Sequence, residues 1–145
     1  MSSGYKILDH TADIGLRVWG KNGPELFTEA AIATMSQIVS MDTIENVQKQ
    51  VIHLEEETLE SLLHQWLRAI LFYFDKGLVF NQFHIEKHNL SDKKASRYYL
   101  EGYWLGEPID MNRHEICMEV KAVTRHNFYL RAKDPWWEAN IVLDV

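Results

Sequence analysis

Apolar residues recur at helical spacing in two segments of the chain. The first segment follows Asn22 and Pro24, which resemble a helix start with a capping residue and a proline in the first turn. The second segment ends before Gly77, a typical C-terminal cap. Its large side chains repeat at i, i+3, i+4 and i+7 and form one stripe: Leu59, Leu62, Leu63, Trp66, Leu67, Ile70, Leu71 and Phe74. These patterns predict helices at about 24–39 and 58–76.

Period-two patterns predict strands in most of the remaining chain. Ile14, Leu16 and Val18 alternate with other residues, which indicates a strand with one face in the core. Strands are expected as a pair within 5–19, interrupted at 10–13, and at about 47–54, 79–86, 98–105, 115–124, 127–132 and 139–145. Breaks or turns are expected at 105–108 and 134–135, with a hairpin tip at 125–126. The pattern predicts a single α+β domain over 1–145, with mainly antiparallel sheet and both helices packed on one face.

Composition limits the partners of the chain. It has 145 residues, a formal net charge of −6 and one cysteine. The negative net charge argues against a protein that binds nucleic acid by itself, since phosphate binding needs a basic face. The N-terminus lacks an apolar secretory segment, and the apolar runs are too short to span a bilayer. We therefore expect a cytoplasmic protein with no membrane contact, in which Cys117 is a small buried side chain.

Three polar features could carry chemistry. His10 and Asp13 lie three residues apart in a break between strands, where they point into one pocket or simply stabilise a turn. Asp144 and the terminal carboxylate of Val145 follow an apolar strand, and they either share a cation or form a solvated chain end. Two nearby carboxylates repel unless a cation lies between them, and hard cations prefer oxygen ligands. Lys121 is either a phosphate or carboxylate partner of such a site or an ordinary exposed residue.

Two other patterns favour ordinary structure over chemistry. His84 and His88 are four residues apart, but they lack the glutamate placement of a zinc-protease helix and an evident third ligand. Trp19, Trp104 and the tryptophans at 136–137 are suited to stacking on bases. Because no basic residues accompany them in sequence, these tryptophans are expected to pack in the core or against a partner.

Five segments along the chain resemble the archease family. They are HTADIGLRV at 10–18, LFTEAA at 26–31, LLHQWL at 62–67, VKAVT at 120–124 and VLDV at 142–145. Each segment is weak evidence alone, whereas the five in order are specific and span essentially the whole chain.

The resemblance implies a non-catalytic, metal-binding accessory protein of an RtcB-type RNA ligase, which joins tRNA halves and repaired RNA ends. Archeases promote guanylylation of that ligase, the step in which a ligase histidine takes GMP from GTP, and so support multiple turnover. Carried onto this sequence, the functional positions of the family are Asp13, Lys121 and Asp144, and the main-chain carboxylate of Val145 is a further metal ligand. The expected ion is Ca²⁺, Mg²⁺ or Mn²⁺, and RNA is reached only through the ligase.

The chain departs from the family beside the expected site. The usual Tyr-His after the KAVT segment is replaced by Arg125-His126, which leaves the ligands intact but changes a side chain at the expected partner contact. His10 and His126 are expected to support the metal ligands. Two other functions remain open. One is a metal-dependent hydrolase that uses Asp13 and His10, and the other is a general chaperone or helper of RNA-modifying enzymes with exposed apolar surface.

Overall fold

The computed structural model describes residues 2–8 and 13–145. Within these residues the chain forms two α-helices and eight β-strands, with a short 3₁₀ turn at Met41–Thr43. The helices are α1 (Gly23–Ile38) and α2 (Leu59–Asp75). The strands are β1 (Gly4–Leu8), β2 (Asp13–Gly20), β3 (Gln48–Glu56), β4 (Leu78–His88), β5 (Tyr98–Pro108), β6 (Ala122–Val123), β7 (Tyr129–Lys133) and β8 (Trp136–Asp144).

Both helices begin and end where local chemistry favours a boundary. The side chains of Asn22 and Thr58 each accept a hydrogen bond from a main-chain N–H in the first turn, at 2.9 and 3.0 Å. These bonds satisfy amides that have no partner inside the helix. Beyond α2, Gly77 has a φ of +85°, as a helix-ending glycine often does. The helices predicted at 24–39 and 58–76 are therefore confirmed, each to within one residue at either end.

The strands form two antiparallel sheets. In the five-stranded sheet, β2 lies between β1 and β8, while β6 and β7 both pair with β8. The three-stranded sheet has the order β3-β5-β4. Strands β2 and β8 pair without interruption from Asp13 opposite Asp144 to Gly20 opposite Trp137. This pairing joins the beginning of the chain to its end.

The helix pair packs against both sheets. Helix α1 contacts β2 and β4, and α2 contacts β3, β4 and β6. Trp66 of α2 is fully buried, donates its indole N–H to the Phe27 oxygen at 2.8 Å, and packs edge-on against Trp104. Burying one such side chain stabilises a fold by about 1.5–3 kcal/mol. The predicted α+β class, with antiparallel sheets and two main helices, is confirmed, and neither helix in the described part of the chain is long and apolar enough to cross a membrane.

The strand predicted at 115–124 is wrong for most of its length. Only Ala122–Val123 joins the sheet. Upstream, the main chain binds the end of α1 instead, since the Cys117 N–H donates to the Ile38 oxygen at 2.8 Å. Cys117 is exposed rather than buried, because its neighbour Ile116 takes the position that packs against the core.

Two predicted turns are also wrong, whereas the turn at 134–135 is confirmed. Strand β5 continues through 105–108, because Gly106 allows β4 to approach closely: a Cβ on it would lie 1.9 Å from the Val79 oxygen. Residues 125–126 are not a hairpin tip. Strands β6 and β7 instead run in the same direction along β8, and residues 124–128 bulge out between them.

Candidate functional site

Asp13 and Asp144 lie directly opposite each other at one end of the five-stranded sheet. Asp13 is the first residue of β2 and Asp144 is the last residue of β8, and both are half-buried. Side chains alternate along a strand, and the adjacent Ile14 and Leu143 face the core, so both carboxylates lie on the outer face. We call these two residues the acidic pair. The start of β2 and the end of β8 therefore meet at this site.

The position of the acidic pair is set by apolar pairing farther along the same strands. Leu16 and Val18 of β2 lie opposite Ile141 and Ala139 of β8, and all four are fully buried. A one-residue slip would turn these side chains out of the core, so the register is strongly specified. Opposed residues in an antiparallel pair have Cβ atoms about 4.5–5.5 Å apart, and like charges at that spacing are destabilising. In the described part of the chain, neither carboxylate forms an ion pair.

Lys121 contacts the acidic pair through its main chain. Its N–H donates to the Asp144 carbonyl oxygen at 2.8 Å, one residue before β6 begins. Its side chain is exposed and lines a cavity of about 250 Å³ beside α2, together with Arg68 and Asp75. The structure therefore brings Lys121 beside Asp144, but its amine forms no ion pair with a carboxylate of the described residues.

His64 of α2 holds β6 in place next to the acidic pair. The side chain is buried, its Nε2 lies 2.8 Å from the Val123 carbonyl oxygen, and its ring packs edge-on against Phe128. Burial lowers the pKa of His64, although the bond to Val123 acts in the opposite direction. Because a carbonyl oxygen can only accept, His64 donates its Nε2–H to Val123. Since Val123 precedes the 124–128 bulge and Phe128 is its last residue, these contacts hold the main chain near Lys121.

The remaining predicted site residues have looser relations to the acidic pair. Val145 follows Asp144 beyond the last strand and is half-buried. His126 is exposed within the 124–128 bulge, where the Thr124 hydroxyl donates to its carbonyl oxygen at 3.5 Å. His10 lies outside the described residues, so its predicted supporting role stays a prediction.

The donor chemistry of the acidic pair fits a hard divalent cation. Such ions bind carboxylate and carbonyl oxygens, and Ca²⁺ takes about 6–8 of them. The two carboxylates supply part of that shell, whereas the contribution expected from Val145 stays a prediction. Within residues 2–8 and 13–145, no group of three or more His, Cys, Asp or Glu side chains is arranged to hold a metal ion. A complete shell therefore needs other oxygens, such as main-chain carbonyls, water or groups of a partner.

A second carboxylate cluster was missed by the sequence analysis. Glu107 of β5 is buried, accepts hydrogen bonds from the Glu45 N–H at 2.6 Å and from His114 Nε2 at 3.0 Å, and forms a two-bond ion pair with Arg113. Hydrogen bonds from Arg113 lower the pKa of Glu107 to about 2, against the effect of burial. The carboxylate oxygens of Glu107 already have hydrogen-bond partners within the protein. We therefore assign this cluster to holding the segment at 109–121 in place and not to binding a ligand. The sequence gives no signal for this cluster, because its residues follow no known motif spacing and meet only when β5 and the following segment are folded.

Comparison with known proteins assigns nearly the whole chain to one family. Residues 5–145 match the Archease protein family. The chain is 36% identical over 142 residues to the protein archease of Methanopyrus kandleri, covering 97% of this chain and 99% of the relative. It is 38% identical over 139 residues to the protein archease of Pyrococcus furiosus, covering 94% of this chain and 95% of that relative.

Solved structures agree with the sequence comparison. The solution structure of protein 1598 from Methanobacterium thermoautotrophicum matches with a TM-score of 0.83 and 31% identity, over 98% of this chain and 99% of that chain. The crystal structure of an archease, possible chaperone, from Thermotoga maritima matches with a TM-score of 0.63 over 97% of this chain and 96% of that chain. At 16% identity, the second likeness shows the fold alone. The family match and the relatives above 30% identity both span nearly the full chain, which therefore belongs to the archease family.

Proposed function

We propose that this archease is a non-catalytic, metal-binding activator of an RtcB-type RNA ligase, promoting its guanylylation and multiple turnover in tRNA splicing and RNA repair. The observation that supports this role is the acidic pair. Asp13 and Asp144 face each other on adjacent strands and have no ion-pair partner among the described residues. Two like charges in this register destabilise the fold, whereas a bound divalent ion offsets their repulsion.

The chain's own residues have positioning roles in this proposal. Guanylylation forms a bond between a ligase histidine and the α-phosphorus of GTP, and pyrophosphate leaves. A divalent ion supplies positive charge that stabilises phosphate oxygens during such a transfer. Asp13 and Asp144 hold that charge at the end of a rigid sheet, and His64 holds β6 so that Lys121 stays beside it. The exposed amine of Lys121 is suited to a phosphate or to a carboxylate of the ligase.

Charge-neutral variants of the acidic pair test the role in activation. Asp13→Asn and Asp144→Asn should each reduce the acceleration of ligase guanylylation by about ten-fold or more, measured as a time course with labelled GTP. Asp92→Asn is the matched control, because Asp92 lies in the loop after β4 and accepts the Lys94 N–H at 3.0 Å, a bond that asparagine can also accept. Full activation by both site variants, with circular dichroism like that of the wild type, would reject the proposal.

Metal binding is tested separately from activation. Calorimetric titration with CaCl₂, MgCl₂ and MnCl₂ should show uptake by the wild type and by Asp92→Asn, and a loss of that heat in Asp13→Asn and Asp144→Asn. The ion that binds should also give the fastest guanylylation. No uptake of any of the three ions by the wild type would contradict the metal-binding part of the proposal.

A chaperone-like role is a second candidate, and one surface favours it. Val51 of β3 and Phe72 of α2 are 66% and 54% exposed, and both line a cavity of about 420 Å³. Binding of unfolded clients requires exposed apolar surface of this kind, and the Thermotoga relative is described as a possible chaperone. Under this role, Val51→Ser should weaken suppression of aggregation of a heated client. Under ligase activation, the same variant should leave guanylylation unchanged, because Val51 lies away from the cavity that Lys121 lines.

A further inference from the structure

The outer face of the five-stranded sheet changes character along its length. The register aligns its side chains in successive rows across the strands, beginning with the acidic pair. Trp19 lies six residues beyond Asp13 along β2, which places it about 20 Å away at ~3.3 Å per residue. The far end of the face is therefore separate from the acidic pair. There the rows contain Lys6 and Arg17, then Trp19, Glu138 and Arg131, and finally Trp136 and Lys133.

Two tryptophans at this far end are held in place but remain partly open to solvent. The Trp19 indole N–H donates to the Ser2 carbonyl oxygen at 2.8 Å. Its ring lies over Gly4 of β1, where an added Cβ would be 3.1 Å from a ring carbon. Trp19 and Trp136 are both half-buried, and together with Lys6 they line a depression of about 420 Å³. An aromatic side chain that is already held in one orientation and partly exposed loses little conformational entropy when a planar group stacks on it.

Cations outnumber carboxylates on these rows, although the whole chain carries −6. Arg17 is compensated, because its guanidinium pairs with Glu138 at 3.0 Å. Lys6, Arg131 and Lys133 are exposed and form no ion pair with a carboxylate of the described residues. The net charge of −6 is therefore compatible with a locally cationic surface, because the total charge of a chain does not report where the charged residues lie.

Planar rings next to uncompensated cations match the chemistry of a single-stranded nucleic acid. Bases stack on aromatic side chains whatever their sequence, and phosphates bind lysine and arginine. Tryptophan and arginine are also common at protein interfaces, but three cations with no carboxylate partner among residues 2–8 and 13–145 favour a polyanion over a neutral apolar surface. We define the indole patch as Trp19, Trp136, Lys6, Arg131 and Lys133.

We propose that the indole patch binds a single-stranded segment of RNA, with bases stacked on Trp19 and Trp136 and phosphates on Lys6, Arg131 and Lys133. The choice of RNA as the polyanion rests on the proposed role beside an RNA ligase. The expectation that the patch binds single-stranded nucleic acid rests on the side chains of the patch alone. The archease then contributes two contacts from one sheet face, the acidic pair at the ligase and the indole patch at its RNA.

Fluorescence anisotropy of a labelled ten-nucleotide RNA, titrated with the full chain in the absence of ligase and metal, tests this proposal. The wild type should bind with a Kd between about 1 and 100 µM at low salt. The logarithm of Kd should rise with the logarithm of salt concentration with a slope of about two, as expected for three phosphates on a single strand. Trp136→Leu should weaken binding by about ten-fold, and Trp136→Phe should restore most of it.

A charge reversal has a matched control on the other sheet. The Arg131 guanidinium lies 4.4 Å from the centroid of the Tyr129 ring, and the Lys49 amine lies 4.3 Å from that of Tyr103 on the three-stranded sheet. Arg131→Glu should weaken RNA binding by about ten-fold and reduce the salt slope, whereas Lys49→Glu should behave like the wild type.

Three outcomes would overturn the proposal. They are no RNA binding by the wild type, equal losses in Arg131→Glu and Lys49→Glu, and tighter binding of duplex RNA than of single strands. If RNA binding is absent and Arg131→Glu loses ligase binding, the patch belongs to a protein partner. A labelled ssDNA of the same sequence distinguishes a general single-strand site from one that prefers RNA. Because guanylylation is assayed without RNA, a failure here leaves the test of the activator role independent.

Discussion

The acidic pair and the Glu107 cluster both place carboxylates on sheet strands, but the protein surrounds them in opposite ways. Glu107 is 4% exposed, and its oxygens accept hydrogen bonds from Arg113, His114 and a main-chain N–H. Asp13 and Asp144 are half-buried, face each other, and have no ion pair in the described part of the chain. The first arrangement stabilises the folded state, and the second destabilises it until a cation binds.

The contrast suggests that charge compensation separates side chains that hold the fold from side chains that serve binding. The cations of the outer sheet face divide in the same way. Arg17 is paired with Glu138 inside the sheet, whereas Arg131 and Lys133 project from the edge strand without a carboxylate partner among the described residues. Neutralising a compensated charge should therefore cost stability, while neutralising an uncompensated one should cost binding.

The largest effect on stability is expected at Glu107. Glu107→Gln removes the charge that holds Arg113 and His114, and it should lower the free energy of unfolding by roughly 2–3 kcal/mol, measured by urea denaturation. The control is Glu101→Gln on the same strand, whose ion pair with His53 is solvent-exposed and should contribute less than about 1 kcal/mol. Equal stability of the two variants would mean that the buried Glu107 cluster stabilises the fold no more than an exposed ion pair does.

The pH dependence of stability gives a second measure of the Glu107 cluster. Its hydrogen bonds with Arg113 lower the pKa of Glu107 from 4.5 to about 2. Below pH 4.5 the unfolded chain binds a proton that the folded chain still excludes, so the contribution of Glu107 is full above pH 4.5 and is lost as the pH falls towards 2. Thermal unfolding between these pH values should show a shallower dependence in Glu107→Gln than in the wild type or Glu101→Gln. An unchanged slope in Glu107→Gln would contradict this assignment.

The helices could be predicted from sequence because local rules set them, whereas the meeting of Asp13 and Asp144 was indicated by the family resemblance. Asn22 and Thr58 cap the helices through residues three positions away. The apolar alternation in β2 and β8 allows few registers, and the resemblance to a family indicated which aspartates to examine. The motif residues therefore lie together at one end of one sheet, although Lys121 contributes its main chain rather than its amine to the contact with Asp144.

The irregular segment at 109–121 and the indole patch could not be predicted from local sequence patterns, because they depend on contacts between distant parts of the chain. Residues 109–121 are held by Glu107 and by the end of α1, so the alternation around Met118 resembled a strand that does not form. Lys6 and Arg131 are 125 positions apart, and only the pairing of β1, β2, β8 and β7 places them on one face. Sequence proximity showed no basic residues near the tryptophans, whereas the fold packs Trp104 and Trp137 in the core, as expected, and places cations beside Trp19 and Trp136.

The smallest expected effect has the opposite sign and gives the sharpest test of the contrast. In the presence of a chelator, Asp13→Asn and Asp144→Asn should each raise the free energy of unfolding by about 0.2–1 kcal/mol, because each removes the repulsion between opposed carboxylates. The double variant should gain little more than either single one, since the repulsion can be removed only once. Adding the ion that binds should then stabilise the wild type by mass action and leave the variants unchanged. If both single variants instead lose stability in the chelator, as Glu107→Gln is expected to do, the acidic pair is part of the structural framework and the contrast drawn from its missing partners is wrong.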